Sequence, residues 1–319
     1  MSEPGQTETV LIPMKCHIVL LPLIAYLFFS PLLFGQTDAN EKESPERLRL
    51  MSFNIRNGRA NDGVNKWDNR KDFVCDVVKE FSPDIVGLQE AFHFQLQHML
   101  KKLPSYSSIG EGRDGGTKGE YSAILYRSKK FSVKESGTFW LSDTPEKKSR
   151  SWGNRYLRIC TWARLLNNQT KKSFYIFNTH FDHQSQNARV ESAKLIAKRI
   201  AQRKHPDPFV LMGDLNAGED NPVILFLKGK GKPKGANKPA IQLKDTFRTL
   251  HPDAKDVGTG GGFQGRTTGP KIDYVLIPPG IETIRASIIR TNRSGRYPSD
   301  HFPVFAEIDP SGYSPKGNR

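Results

Sequence analysis

Cysteine is scarce in this sequence, with three residues among 319. None of them belongs to a Cys/His cluster with zinc-binding spacing, which argues against a zinc module. Cys75 falls in a predicted helix and Cys160 in a predicted strand, so we expect both to be buried as small apolar side chains. A disulfide between them is the alternative if the protein matures in an oxidising compartment.

Acidic residues are also in deficit. Asp and Glu number 33 against 48 Lys and Arg, which gives a formal net charge of +15. This excess favours polyanionic partners such as nucleic acid, anionic lipid headgroups or phosphorylated molecules, although a basic surface that serves only solubility is the alternative. With 36% hydrophobic and 25% charged residues, the chain is neither low-complexity, collagen-like nor fully disordered.

The sequence has a single long uncharged apolar run, the 18 residues 18–35 (IVLLPLIAYLFFSPLLFG). This length is the lower limit for a membrane span, and the two prolines in the run disfavour a stable spanning helix. We therefore expect residues 1–36 to hold a secretory signal peptide, with an uncleaved membrane anchor as the alternative. Translation from Met14 would place Lys15 before the run, so residues 1–13 are expected to precede the true start. The protein is accordingly expected to be exported.

The rest of the chain divides into a flexible polar lead-in at residues 37–47, one domain at residues 48–309 and a tail at residues 310–319. In the domain, short apolar strands alternate with amphipathic helices, and no segment is long enough to be a linker. Many strands with few helices predict an α/β (α+β) architecture with two packed sheets and helices outside.

Two local patterns within the domain allow more specific predictions. Leu48 and Leu50 share one parity while Met51 and Phe53 share the other, so this strand is expected to be buried on both faces. A helix marked by apolar residues between positions 74 and 81 is expected to end before Ser82-Pro83, because a proline disfavours helical backbone in the residue before it.

Polar side chains stand at or next to the ends of the predicted strands. One such residue is unremarkable, but a whole set indicates a single rim of the sandwich, because a charge buried elsewhere would lose its hydration. Carboxylates and carboxamides supply oxygen ligands for a hard cation, and imidazoles can donate to an anionic transition state. The set is typical of metal-assisted hydrolysis of a phosphate ester, and its members are Asn54, Glu90, His180, Asp214, Asn216, Asp273, Asp300 and His301.

Six strings in this order resemble the motif series of the endonuclease/exonuclease/phosphatase superfamily: MSFNIRNG, DIVGLQE, NTH, GDLN, KIDYV and SDHFPV. The resemblance runs from residue 48 to residue 308. It implies the fold of DNase I and exonuclease III, a four-layer sandwich of two mostly antiparallel sheets with outer helices. It also implies hydrolysis of phosphate esters with a divalent metal.

The resemblance implies a metal site at which Glu90 is the principal carboxylate, with Asn54 and Asp300 completing or supporting the set. Mg²⁺ keeps several of its waters and takes few protein ligands, so a sparse set suffices, and Mn²⁺ is the alternative ion. For Glu90 taken alone, a carboxylate that caps the following helix is the alternative.

Asp214 corresponds to the residue that orients or deprotonates the attacking water, and Asn216 to one that holds a phosphate oxygen. An Asx turn that closes a tight loop is the alternative for this pair. Arg158 stands where the superfamily often carries a phosphate-contacting arginine, with an ion pair on the sheet as the alternative. Phe263 and Gln264, on a glycine-rich loop without a phosphate-binding fingerprint, are candidates for contact with a substrate base or ring.

His180 and His301 are expected to flank the scissile phosphate and to stabilise its charge, as cations or as hydrogen-bond donors. A carboxylate partner favours the charged form of an imidazole. The resemblance implies Asp273 as the partner of His301 and Glu120 as the partner of His180. Taken alone, either histidine is more often a satisfied core residue.

The substrate is a separate question, because one fold serves many substrates. The positive charge favours nucleic acid and hence a nuclease or phosphodiesterase, to whose binding the basic loop at residues 228–238 would contribute. A sphingomyelinase- or phosphoinositide-type headgroup phosphoesterase comes second, and a phosphomonoesterase acting on inositol phosphates or small esters third. A non-catalytic surface binding protein is the alternative of another class. We expect a monomer without a stable protein partner.

Overall fold

The computed structural model describes Met1 and residues 45–231 and 241–315. The expected signal or anchor segment, most of the lead-in and most of the basic loop lie outside these residues. Residues from Glu43 to Arg319 form one compact unit. In the described stretches, no helix combines the length and the apolar character needed to cross a bilayer.

Strands and helices are numbered here in chain order. The strands of the described residues are β1 (Leu48–Asn54), β2 (Ile85–Gln89), β3 (Tyr106–Ile109), β4 (Ile124–Arg127), β5 (Phe131–Trp140), β6 (Ile159–Asn167), β7 (Ser173–His180), β8 (Phe209–Asp214), β9 (Lys244–Asp245), β10 (Asp273–Ile277), β11 (Glu282–Ile288) and β12 (Val304–Asp309). The α-helices are α1 (Trp67–Phe81), α2 (His93–Lys102), α3 (Gln186–Ala201), α4 (Pro222–Leu227) and α5 (Thr246–Leu250).

The strands form two six-stranded sheets built on the same plan. The first sheet has the order β11-β12-β1-β2-β4-β3 and the second the order β5-β6-β7-β8-β10-β9. Each sheet contains one central parallel pair, β1 with β2 in the first and β7 with β8 in the second. The other pairings are antiparallel, so the prediction of two mostly antiparallel sheets is confirmed.

Apolar side chains fill the space between the sheets and the space under the helices. The inner core includes Leu50 from β1 and Ile176 from β7. On the outer face of the first sheet, Phe53 packs in one cluster with Val77 of α1, and Ile196 of α3 belongs to the core on the outer face of the second sheet. The layers therefore run helices, sheet, sheet, helices, which confirms the four-layer sandwich and the two buried faces of β1.

Helix α1 ends where the sequence predicts, with Ser82 in a left-handed conformation (φ 49°) before Pro83. The four strands that the sequence does not predict are β3, β5, β9 and β11, and these are the edge strands of the two sheets. An edge strand is half solvated and tolerates charged residues, so its apolar pattern is weak. In β11, for example, the sequence ETIRASI mixes exposed, intermediate and buried positions.

Both cysteines of the described region are buried and free, Cys75 in α1 and Cys160 in β6. Burial raises the pKa of the Cys75 thiol to about 12 and raises that of Cys160 as well. Both side chains therefore act as small apolar residues, as expected, and the alternative disulfide does not form.

The two parallel pairs decide where the polar residues meet. β1 ends at Asn54, in register with the end of β2, and β8 ends at Asp214, in register with His180 at the end of β7. β10 and β12 run antiparallel to these strands, so their starts lie at the same edge. Asp273 opens β10 and His301 precedes β12, which brings carboxylates and imidazoles of both sheets to one rim.

Two buried amides join the sheets behind this rim. Asn178 of β7 donates through Nδ2 to the carbonyl oxygens of Leu88 (2.9 Å) and Ala123 (2.8 Å) in the opposite sheet. Gln89 donates through Nε2 to Asn178 Oδ1 at 2.7 Å. Gly87 leaves the space that this contact needs, because a Cβ there would lie 2.7 Å from Asn178 Oδ1.

Replacing Gly87 with alanine should therefore force the sheets apart at this point. We expect Gly87→Ala to destabilise the domain by about 1–3 kcal/mol, the usual cost of overpacking a core. Urea unfolding followed by tryptophan fluorescence would measure it. Gly260→Ala is the matched control, since its added Cβ would be 3.8 Å from its nearest neighbour. Equal stability of Gly87→Ala and wild type would contradict the close contact.

Candidate active site

Asn54 lies at the centre of the rim and contacts carboxylates from both sheets. Its Nδ2 donates to Glu90 Oε1 at 3.1 Å and to Asp214 Oδ2 at 3.0 Å. Its Oδ1 accepts a hydrogen bond from the backbone N–H of Arg56 at 3.0 Å, which fixes which side of the amide faces the carboxylates. Residues from the ends of β1, β2 and β8 thus meet at one point.

Glu90 follows β2 in a left-handed conformation (φ 60°), which is uncommon for a residue with a side chain. Its second oxygen, Oε2, accepts from the backbone N–H of Asn57 at 2.8 Å. The helix-capping alternative does not apply, because α2 begins after Phe92 and the Gln95 side chain bonds the backbone N–H of Phe92. The Glu90 carboxylate is instead held by Asn54 and by the backbone of Asn57.

Asp300 adds a second carboxylate beside Glu90. Its Oδ1 accepts from Ser299 Oγ at 3.2 Å, and its Oδ2 lies 3.5 Å from Arg56 Nη1. Burial and the charge of Glu90, partly offset by His301, raise the pKa of Asp300. A bound cation would stabilise the charged form of the Asp300 carboxyl, which burial and Glu90 disfavour.

Asp214 is buried and held on both oxygens. Oδ1 accepts from the backbone N–H of Asn216 at 2.9 Å, and Oδ2 lies 3.4 Å from His180 Nε2 in addition to its bond from Asn54. Burial and the charge of Asp273 raise the pKa of Asp214 to about 7. A carboxylate with such a pKa can exchange a proton near neutral pH.

His301 and Asp273 form the pair that the resemblance implies. His301 Nδ1 lies 2.9 Å from Asp273 Oδ2, and its Nε2 lies 3.9 Å from Asp214 Oδ2. Burial opposes a charged imidazole, but Asp273 and Asp214 overcome it and raise the pKa of His301 well above its usual value. His301 is therefore a cation at neutral pH, set between two carboxylates.

Two groups of residues could hold a metal ion. Asp214, Asp273 and His301 each place one ligand atom within 4.8 Å of the others. An imidazole must be neutral to bind a metal, and the raised pKa of His301 favours the protonated form instead. Glu90 and Asp300 offer oxygen atoms alone, the donors that Mg²⁺ and Mn²⁺ prefer, so the donor chemistry fits a hard cation at this second pair.

The predicted pairing of Glu120 with His180 is wrong. Glu120 Oε2 accepts from Arg113 Nη1 at 2.7 Å, and Oε1 accepts from Asn57 Nδ2 at 3.1 Å. Arg113 lies on the loop of residues 110–119 and binds the half-buried Glu120 carboxylate directly. Nothing in the sequence of that loop marks this arginine as a site residue.

His180 has Asp214 as its carboxylate neighbour and is not a cation. Burial, together with the charges of Arg158 and His301, lowers the pKa of His180 well below its usual value. The sequence leaves open whether His180 acts as a cation or as a neutral donor, and the structure favours the neutral donor.

Arg158 precedes β6 and is buried beside this histidine. Its Nη2 lies 3.2 Å from His183 Nδ1, and its Nε lies 3.8 Å from Asp182 Oδ2 without forming a hydrogen bond. The ion-pair alternative is therefore present in part, while a buried N–H of the guanidinium remains without an acceptor. Such a donor is suited to an anionic ligand.

An exposed aromatic ring borders Arg158. Tyr156 is 40% exposed, and its ring stacks on His183 with centroids 6.1 Å apart. The guanidinium groups of Arg113 and Arg155 lie 5.1 and 5.5 Å from the Tyr156 ring centroid. The rim therefore carries a ring platform surrounded by positive charge next to the carboxylates.

Asn216 takes the Asx-turn alternative. It has a left-handed backbone (φ 46°), its N–H holds Asp214, and its Nδ2 donates to Phe181 O at 3.0 Å. The second N–H of its amide is the group available for a phosphate oxygen. Local turn geometry and the predicted role are therefore compatible at this position.

The glycine-rich loop that holds Phe263 and Gln264, at residues 258–269, contacts the rim through its backbone. The N–H of Gly262 donates to Asp300 O at 2.8 Å, and Gly260 bridges to His301. Phe263 is half-buried with its ring 5.4 Å from the Arg70 guanidinium, while Gln264 is exposed. The two predicted loop residues thus lie beside Asp300, but Phe263 already uses its ring on Arg70.

A model of the endonuclease/exonuclease/phosphatase family matches residues 51–301. The chain belongs to this family. Its members are phosphoesterases, and the family typically uses divalent metals. The motif resemblance of the six strings is thereby confirmed, and the match covers the whole rim described above.

Solved structures agree with this assignment. A mannosyl-6-phosphatase from Bacteroides thetaiotaomicron is 34% identical, with a TM-score of 0.72, covering 82% of this chain and 99% of its own. A family member from Bacteroides vulgatus is 33% identical, with a TM-score of 0.74, covering 82% and 98%. Among sequence relatives, Nocturnin of Drosophila melanogaster is 24% identical over 82% of this chain, which corresponds to 46% of the fly protein.

The contact between Asp273 and His301 makes a direct prediction about protonation. We expect Asp273→Asn to lower the pKa of His301 by about 1–3 pH units, the usual effect of removing an adjacent opposite charge. A ¹H–¹³C NMR titration of the metal-free protein would measure it. Because the folded pKa is raised, the stability that His301 contributes is fully present below its unfolded pKa and is lost as pH rises through the folded pKa.

The control for this titration is Glu135→Gln, which removes the carboxylate that lies 3.0 Å from His205 Nε2. This change should leave the titration of His301 as it is in the wild type. An unchanged His301 pKa in Asp273→Asn would contradict the assignment of Asp273 as its charge partner.

Proposed function

We propose that the protein is a Mg²⁺- or Mn²⁺-dependent phosphoesterase that cleaves the P–O bond by in-line attack of water. The observation that carries the proposal is the hydrogen-bonded convergence of Glu90, Asn54 and Asp214. Around it, His301 is protonated and Arg158 keeps a buried donor without an acceptor. The acidic pair of Glu90 and Asp300, which suits a cation, thus lies close to donors that suit a phosphate.

Glu90 and Asp300 would hold the metal, with Asn54 supporting Glu90. When bound, the metal supplies charge neutralisation at the phosphate and at the leaving oxygen. The chain itself orients the carboxylates, because Asn57 and Ser299 donate to one oxygen of Glu90 and of Asp300 respectively.

Asp214 orients the attacking water and accepts its proton at Oδ2 or Oδ1. Asn54 and the Asn216 backbone fix the plane of the Asp214 carboxylate, so that the attacking water binds it in a single orientation. The protonated His301 donates to the phosphate, and Asp273 keeps it charged and oriented. The neutral His180 donates from the other side, next to Arg158.

For the substrate, we favour the phosphate monoester of a sugar or similar small molecule. Support comes from the 34% identity to a mannosyl-6-phosphatase over almost all of that protein. A terminal phosphate carries two negative charges, which suits a site with a protonated His301 and a buried Arg158. Tyr156 offers an exposed ring for the sugar, which would occupy the rim beside His183.

Nucleic acid is the second candidate substrate, and the net charge of +15 is the observation that favours it. The apolar run at residues 18–35 supports export of the enzyme, so that either substrate would be met outside the cytoplasm.

Substitution of Asp214 tests the reaction. We expect Asp214→Asn to lower kcat by about 10²–10⁴-fold, because the amide cannot accept the proton of water. Asp207→Asn is the matched control, since Asp207 pairs with Arg164 at the start of β8, opposite the rim. Steady-state kinetics with Mg²⁺ and with EDTA would measure both variants. Full activity of Asp214→Asn, or activity unaffected by EDTA, would refute the mechanism.

A substrate comparison tests the preference. With Mg²⁺ present, we expect turnover of mannose 6-phosphate with phosphate release, and at most slow cleavage of single-stranded RNA and double-stranded DNA. Binding to several backbone phosphates would make nuclease activity fall steeply with salt, whereas monoester turnover should change little. Salt-sensitive cleavage of nucleic acid without phosphate release from the sugar ester would favour the second candidate.

A further inference from the structure

Arg70 of α1 is a buried cation that has no role in the mechanism above. It is 4% exposed and forms no ion pair among the residues described. Its guanidinium instead donates to four backbone carbonyl oxygens, those of Ile55 (2.6 Å), Asn65 (2.9 Å), Pro298 (3.0 Å) and Arg56 (3.1 Å). A charged side chain thus satisfies backbone acceptors from two distant parts of the sequence.

Three of the four acceptors belong to the segments that carry Asn54 and Asp300. Ile55 and Arg56 directly follow Asn54, and Pro298 lies two residues before Asp300. Ser299, between Pro298 and Asp300, donates through Oγ to the carbonyl of Asn54 at 2.7 Å. Arg70 therefore joins the end of β1 to the segment before β12.

A third segment rests on the same guanidinium. The Phe263 ring lies 5.4 Å from Arg70 Cζ, and Phe263 holds a left-handed backbone (φ 62°). The neighbouring Gly262 donates its N–H to Asp300 O. The guanidinium of Arg70 thus contacts three segments: the one after Asn54, the one before Asp300, and the glycine-rich loop at Phe263.

We propose that Arg70 is a positioning residue that fixes the distance between the Glu90–Asn54 side and the Asp300 side of the metal site. The inference rests on the proposed function, because it assigns those residues to the metal. The planar fork of arginine can reach four carbonyls at once, which the single ammonium of lysine cannot. Geometry, more than charge, is what Arg70 contributes.

The charge of Arg70 and its hydrogen-bond geometry predict opposite changes in metal affinity when Arg70 is replaced. A positive charge near Asp300 and Glu90 repels a cation, so its removal would strengthen metal binding if charge alone mattered. Loss of the fork leaves four carbonyls without their donor and lets the two sides of the site separate, which weakens binding. The sign of the change therefore distinguishes the two effects.

The experiment measures Mn²⁺ binding to the full chain by electron paramagnetic resonance, independently of turnover. We expect Arg70→Met and Arg70→Lys each to weaken Mn²⁺ binding by about 10- to 100-fold, the range seen when residues that orient metal ligands are lost. Arg70→Lys retains the charge and most of the length, and it carries the test if Arg70→Met does not fold. With Mg²⁺, kcat should fall in parallel while KM for mannose 6-phosphate changes less.

Arg203→Met is the matched control. Arg203 also donates to backbone carbonyls, those of Ile200 (2.9 Å) and Asp207 (2.9 Å), and lies over the Phe209 ring, but it is far from the rim along β8. The Arg203→Met variant should be less stable than the wild type but should bind Mn²⁺ with unchanged affinity. Wild-type affinity in Arg70→Lys, or tighter binding in Arg70→Met, would overturn the inference. Absence of Mn²⁺ binding by the wild-type protein would overturn the proposed function, and the inference with it.

Discussion

The side-chain amide of Asn54 donates to a carboxylate on its own sheet, Glu90, and to one on the opposite sheet, Asp214. Two like charges brought together from separate layers repel each other, and a neutral group with two donors is the simplest means of holding them side by side. Farther from the rim, the amides of Gln89 and Asn178 likewise form a hydrogen bond between the two sheets. The rim therefore depends on polar contacts inside the sandwich as much as on the apolar core.

The two histidines show how the same side chain takes different states a few ångströms apart. His301 lies between Asp273 and Asp214, and their negative charges keep it protonated despite burial. Next to His180, the positive charges of Arg158 and His301 add to burial and keep the ring neutral. Asp214 contacts both rings and has a pKa near neutrality. Charge placement, and not residue type, thus divides the roles of donor and acceptor across the centre.

Much of this arrangement could be predicted from the sequence, because the central strands have clear apolar patterns. β1, β2, β7 and β8 are buried on both faces, so their apolar runs and polar ends are plain, and Asn54 and Asp214 fall at those ends. The edge strands lack that signal. Side-chain partners across the fold are predicted only in part: the resemblance implies the pair of Asp273 and His301, but it gives Glu120 the wrong neighbour because Arg113 stands in a loop without any pattern. The carbonyl contacts of Arg70 involve backbone atoms, which sequence identity does not reveal.

The register of β1 with β12 pairs Leu48 with Ile308, residues close to opposite ends of the domain. A chain truncated before β12 would consequently leave β1 with one edge unpaired. Asp300 and His301 belong to that same closing segment, so a chain truncated before it lacks both the finished first sheet and two residues of the candidate site. Because the first and last strands of the domain must pair across its whole length, we expect closure of the first sheet to be a slow step of folding.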